Sequence, residues 1–98
     1  MKLLKKIVFE KSKDYEAWLL SLTDKEQGQI EARMERIQSY SHFGDCEPLG
    51  SGLYELRWKN GWRVYFARKQ GTNIIVLLVG GHKNGQEKDI KKARTMLR

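Results

Sequence analysis

The 98-residue chain reads as an α+β protein: an N-terminal strand and a helical hairpin packed on a small, mainly antiparallel sheet, with a C-terminal helix. Three observations predict that class. Apolar residues recur at helical spacing in residues 14–37 and again after residue 86. Residues 53–79 instead hold three short runs rich in aromatic and β-branched residues. Asn60-Gly61 stands between the first two runs as a hairpin turn. No repeat, low-complexity tract or linker divides the chain, so residues 1–98 are expected to form one domain.

In chain order, Leu3 to Phe9 mixes apolar and basic residues and predicts a short strand. Asp14 to Leu22 predicts a helix, with Trp18, Leu19 and Leu22 on one face. Thr23 and Glu26 then form a capping box, and Asp24 sits where the helix dipole favours an acid. The second helix continues through Ile30, Met34 and Ile37, and Gly44 is its expected stop. A tight joint near Leu22–Thr23 makes the two an αα-hairpin. Asp45 to Gly52, with Pro48, Gly50 and Gly52, predicts a loop. Strands are predicted over Leu53–Lys59, Trp62–Lys69 and Asn73–Val79. The last is apolar on both faces, which suits an interior strand, and Gly80-Gly81 is expected to end it. Glu87 to Leu97 predicts the terminal helix, with Ile90, Ala93 and Leu97 on its apolar side.

The formal charge is +7, from 19 Lys and Arg against 12 Asp and Glu. Residues 1–49 hold 8 basic and 9 acidic side chains, whereas residues 50–98 hold 11 and 3. An excess confined to one half points to a polyanion or an acidic protein as partner, against the plainer reading of a basic soluble domain. Hydrophobic content of 40% and a single Pro favour a packed core over disorder. The longest apolar run, Ile74 to Val79, is too short to cross a bilayer. The first residues are charged without an apolar stretch, so no signal peptide and no membrane contact are expected. Cys46 is alone and no Cys/His group has zinc spacing, so neither disulfide, metal nor cofactor is expected. The expected setting is a reducing cytoplasm.

The hairpin decides which side chains share a face. A two-residue closure would put Glu55 and Arg57 beside Val64 and Phe66, mixing charge with core. A three-residue loop, Lys59-Asn60-Gly61, pairs Arg57 with Arg63 and Glu55 with Tyr65. Tyr54, Leu56, Trp58, Trp62, Val64 and Phe66 then face the helical hairpin, and Glu55, Arg57, Arg63 and Tyr65 face the other way. Two arginines side by side repel, and Glu55 or a bound anion would relieve the repulsion. The alternative is a solvated arginine pair, one member bonded to Glu55.

The stretches Gly52-Leu53-Tyr54-Glu55-Leu56-Arg57, Trp62-Arg63-Val64-Tyr65-Phe66 and Leu77 to Lys83, with Gln86, Asp89-Ile90 and Ala93, resemble the RelE/ParE toxin superfamily. Within it the HigB-like "addiction module killer" branch is the most similar. Phe9, Trp18-Leu19, Ile30 with Arg33, and Phe43-Gly44-Asp45 also fit, so the resemblance spans nearly the whole chain. It implies a small cytoplasmic toxin of bacterial or phage origin, from a type II toxin–antitoxin module. The implied partners are a cognate antitoxin, acidic or of helix-turn-helix type, together with mRNA and the ribosome. RelE-type members cleave mRNA and ParE members inhibit DNA gyrase, so the resemblance leaves three readings: endoribonuclease, gyrase inhibitor, or inactive nucleic-acid-binding relative. Two departures stand out: the Asn60-Gly61 connection is shorter than in many relatives, and His82 occupies a place often acidic in this branch.

Metal-independent RNA cleavage needs a base for the 2′-hydroxyl, an acid for the leaving oxygen, and cations for the phosphate. Arg63 matches the recurrent catalytic arginine of the superfamily, and its planar fork suits phosphate oxygens. Arg57 and Lys83 are the expected second and third cations, and Lys83 could also protonate the leaving group. His82 is the expected acid/base because imidazole titrates near neutrality, with Glu55 as alternative base. Tyr65 and Gln86 are expected to position RNA, and Lys59, Lys91 and Lys92 to follow its backbone. Each also has a plain structural reading: core aromatic, helix cap, solvated lysine or partner of Arg57.

Overall fold

The protein is described here from a computed structural model, covering residues 6–97. The first strand, β1 (Val8–Lys11), leads into α1 (Lys13–Leu20) through Ser12. The Ser12 hydroxyl accepts from the Tyr15 N–H at 3.0 Å and donates to the Leu78 carbonyl at 2.5 Å, so one cap both starts the helix and fastens it to the sheet. The expected Leu3–Phe9 strand is thus displaced toward Lys11, and Leu3 to Lys5 lie outside the described residues.

Thr23 caps α2 (Asp24–Tyr40) with the capping box the sequence predicts. The helix ends before Gly44, at Ser41, which takes the left-handed conformation at φ 55°. Gly44 has its own positive φ of 71° within the following loop.

Residues 46–50 are a strand, not the expected loop. β2 (Cys46–Gly50) pairs antiparallel with β3 (Leu53–Arg57), joined by a tight turn. Pro48 is tolerated because β2 is the edge of the sheet and the ladder is irregular between Pro48 and Gly50. β4 (Trp62–Arg68) and β5 (Ile74–His82) complete a five-stranded sheet of order β1-β5-β4-β3-β2, in which only β1 and β5 are parallel.

β5 does not stop at Gly80-Gly81 but runs through both. The two glycines mark close approach instead. A Cβ on Gly80 would come within 2.0 Å of the Trp18 ring, and one on Gly81 within 2.0 Å of an Asp89 carboxylate oxygen. After a short 3₁₀ turn (Lys83–Gly85), α3 (Gln86–Met96) closes the chain.

The sheet is covered on both faces. Tyr15, Leu19, Ile30, Met34 and Ile37 of the helical hairpin pack against Leu56, Val64, Phe66, Ile75 and Leu77. On the other side Ala93 of α3 packs with Leu53, Tyr65, Ala67, Leu78 and Val79. No described helix is long and apolar enough to cross a membrane.

Candidate functional site

The site begins with the β3–β4 turn. The Trp58 N–H donates to the Trp62 carbonyl, the Gly61 N–H donates to the Trp58 carbonyl, both at 3.0 Å, and Gly61 has φ 101°. This is the three-residue closure, and it pairs Arg57 with Arg63 and Glu55 with Tyr65 on one face.

The helix α3 lies over part of that face and changes what it offers. Glu55 is 0% exposed. One carboxylate oxygen accepts from Arg57 Nε at 2.6 Å and the other from Gln86 Nε2 at 2.5 Å. Since Gln86 opens α3, Glu55 ties the sheet to the helix. Arg57 also has Glu47 at 3.8 Å, and its hydrogen bond to Glu55 raises its pKa above the ordinary arginine range.

Arg63 is treated differently. Its Nη1 donates to the Trp58 and Trp62 carbonyls at 3.2 and 3.0 Å, while its buried Nε has no hydrogen-bond partner among the described residues. No described carboxylate oxygen pairs with it, so the two neighbouring arginines divide into a neutralised one and an unneutralised one. Two residues along, the Tyr65 hydroxyl is also buried without a partner of hydrogen-bonding geometry. Burial, with the nearby Glu55 carboxylate, pushes its pKa up, so it remains a neutral phenol. Tyr65 is fully buried beneath α3 and has no free ring face on which a base could stack, which corrects the expected RNA-positioning role.

Gly81 pairs with Arg63, and the carboxylate of Asp89 fills the gap left by its missing side chain. Burial raises the pKa of Asp89, against the opposing pull of Lys88 and Lys92. Sequence reasoning assigned Asp89 no role. The available signal was Gly81 itself, a strand position with no side chain directly opposite an arginine.

His82 and Lys83 take opposite sides of the sheet. His82 pairs with Trp62, meets its ring edge-on at a centroid distance of 5.4 Å, and lies over Gly61. Trp62 packs toward the helical hairpin, so His82 is turned away from Arg63. The reason is strand alternation: consecutive residues cannot both face the arginine. Extended backbone at His82 carries the alternation to Lys83, which follows Gly81 toward the Arg63 side and is exposed.

The remaining lysines are dispersed. Lys59 is exposed at the β3–β4 turn and borders a groove on the α2 side, apart from Arg63. Lys91 is exposed on α3, and Lys92 pairs with Asp14 of α1 at 3.3 Å.

Arg33 was also missed as a structural centre. It is 8% exposed, donates to the carbonyls of Phe43, Asp45 and Arg57, and stacks its guanidinium 4.5 Å from the Trp58 ring centroid. Its place on the buried stripe of α2, between Ile30 and Ile37, was the legible signal.

Chemically, the face offers an unneutralised guanidinium and an exposed lysine, beside two carboxylates in contrasting environments. No three His, Cys, Asp or Glu side chains gather as metal ligands among the described residues.

A family model for Gp49-like phage-derived proteins matches residues 17–98, which include every site residue named above except Asp14. The chain belongs to that family. This Gp49-like protein is 36% identical over 85 residues to an uncharacterized protein of Haemophilus influenzae, covering 84% of each chain. Its fold is similar to that of a doubly substituted variant of the Escherichia coli toxin RelE in the free state. That match has a TM-score of 0.77 over 97% of this chain and 100% of the other, at 8% identity. The intact E. coli RelBE toxin–antitoxin complex contains a chain that matches with a TM-score of 0.60, at 10% identity, over 79% of this chain and 95% of that one. The Gp49-like chain therefore has the RelE fold, the α+β class its sequence predicts.

Proposed function

We propose that this Gp49-like protein is the toxin of a type II toxin–antitoxin module, a HigB-like, metal-independent endoribonuclease that cuts translated mRNA at the ribosome in the cytoplasm. The observation that carries the reading is Arg63, a cation without a carboxylate partner among the described residues. In this reading Arg63 and Lys83 hold the non-bridging oxygens of the scissile phosphate. The ribose 2′-oxygen attacks phosphorus, its proton passes to a base, the P–O5′ bond breaks, and the departing oxygen takes a proton from an acid. Asp89, whose pKa is raised by burial and whose carboxylate lies against Gly81 opposite Arg63, carries a proton in this exchange. Glu55, with both oxygens occupied, positions Arg57 and Gln86. An antitoxin with an acidic segment would cover the Arg63 face, in keeping with the toxin–antitoxin assembly known for a protein of the same fold. Exposed Lys91 suits ribosomal RNA backbone.

Primer extension on cellular mRNA after induction tests the reading. Cuts at defined positions in translated regions, abolished by Arg63→Ala, are expected. An Arg63→Ala protein that cuts at the wild-type rate overturns the assignment. Intact transcripts with a DNA-damage response would place the protein with the gyrase inhibitors instead.

A further inference from the structure

A groove of about 730 Å³ lies on the opposite side of the sheet end from Arg63, between α2 and the β3–β4 turn. We propose that it is a second RNA subsite, which takes the nucleotides flanking the scissile phosphate. The inference rests on the endoribonuclease reading above.

Four features support this occupant. The first is charge. Arg36, His42 and Lys59 rim the groove, and neither Arg36 nor Lys59 has a carboxylate within 4.0 Å among the described residues. Asp45 is the one acid in the lining, beside buried Arg33. The second is an aromatic wall. Half-buried Trp58 lines the groove, and Arg33 fixes its ring from one side while bonding the carbonyls of the 43–45 loop. Cations beside a rigid ring are what single-stranded RNA uses, through phosphate contact and base stacking.

The third feature is rigidity. Asn60 Nδ2 donates to Gln29 Oε1 at 3.2 Å, closing the turn onto α2, so the groove is formed without a ligand. The fourth is continuity. Arg57 points to the Arg63 face and the next residue, Trp58, to the α2 side. Arg57, the ladder partner of Arg63, is itself among the residues that line the groove, so the groove reaches the edge of the Arg63 site. Charge and the aromatic wall together favour RNA over an acidic peptide, which would use the cations but has no base to stack on Trp58.

The test uses the full chain and two fluorescein-labelled probes, an uncleavable 2′-O-methyl RNA hexanucleotide and the matching dinucleotide. Arg36→Ala and Lys59→Ala are both exposed positions and should fold as wild type. Each is expected to weaken hexanucleotide binding roughly tenfold, equivalent to about 1.4 kcal/mol. Each should also lower the salt dependence of binding by about 0.7 in the log–log slope. Dinucleotide binding should not change, and the Trp58 indole resonance should shift with the hexanucleotide alone. Lys13→Ala, exposed on α1 and not among the residues lining the groove, is the control and should change nothing.

Unchanged hexanucleotide affinity in both groove variants overturns the proposal. So does an oligoglutamate peptide whose binding is lost in those variants while the RNA affinity stays, since that assigns the groove to an acidic protein segment. The two readings separate cleanly. If Arg63→Ala abolishes cleavage but the groove variants bind normally, the groove proposal alone fails. If the protein cuts no RNA yet loses hexanucleotide binding in the groove variants, the endoribonuclease reading alone fails.

Discussion

Replacing Glu55 separates a base from a positioning residue, because Gln and Ala remove different things. Glu55 is 0% exposed and uses both oxygens, toward Arg57 Nε at 2.6 Å and Gln86 Nε2 at 2.5 Å. Charge-assisted hydrogen bonds contribute about 1.5–3 kcal/mol each, and neutral ones about 0.5–1.5 kcal/mol. In Glu55→Gln the amide oxygen still accepts from Arg57, and the Gln86 amide can turn to offer its oxygen to the new NH2. Two charged bonds weaken, but the cost of burying a carboxylate disappears, so the net loss should be about 1 kcal/mol. Glu55→Ala removes both acceptors, opens a void under α3 and unties the helix from the sheet. Breaking such a buried group away from its partners costs about 3 kcal/mol.

For a chain of this size 1 kcal/mol moves Tm by about 4–8 °C. Melting followed by circular dichroism should therefore show a fall of about 12–24 °C for Ala and at most about 8 °C for Gln. Primer extension on the same variants should show Gln cutting within a few-fold of wild type. A Gln variant that melts like Ala refutes the hydrogen-bond reading of the tie. A Gln variant that folds normally but cuts about 10²–10⁴-fold more slowly makes Glu55 the general base and refutes its positioning role.

Two further outcomes test the packing and the electrostatics. Gly80→Ala places a methyl about where the Trp18 ring now lies, 2.0 Å from its nearest atom, so Trp18 must leave its edge contact with Trp62. A loss of about 1–3 kcal/mol is expected, seen as a lowered denaturant midpoint and partly recovered in a Gly80→Ala/Trp18→Leu double variant. Asp89 has a folded-state pKa above its unfolded one, so its protonated form favours the fold and that contribution is lost as pH rises through the folded pKa. Asp89→Asn should accordingly be more stable than wild type at pH 7. The gap should close as pH falls below the ordinary aspartate range, read from Tm against pH, and a gap that grows on acidification contradicts the burial argument.

Much of the site was legible because strand parity is a strong constraint. Once Val64 and Phe66 must face the core, Arg63 and Tyr65 face away, and only the three-residue turn puts Arg57 and Glu55 with them. The same parity could have separated His82 from Lys83, had the strand been carried past Gly80-Gly81. It was not, because glycine pairs read as punctuation when only local propensity is weighed. Their real meaning is tertiary: one admits Trp18 and the other Asp89, from helices on opposite faces. The strand at Cys46–Gly50 was hidden for a related reason, since Pro48 argues against a ladder except at an edge, and edges are defined by the rest of the sheet.

What the sequence could not reveal is how far α3 closes the face it lies on. Helical spacing identified Ile90 and Ala93 as its apolar side, but spacing does not say which polar residues a docked helix will bury beneath it. That depends on Gln86 meeting Glu55, and on the carboxylate of Asp89 finding the notch at Gly81. The consequence is chemical. Closure by α3 removes Tyr65 from stacking and Glu55 from solvent, while leaving Arg63 without a counter-charge. Of the two arginines that the register brings together, Arg57 is neutralised by sheet carboxylates, Glu55 and Glu47, and α3 seals that choice by bonding Glu55 through Gln86.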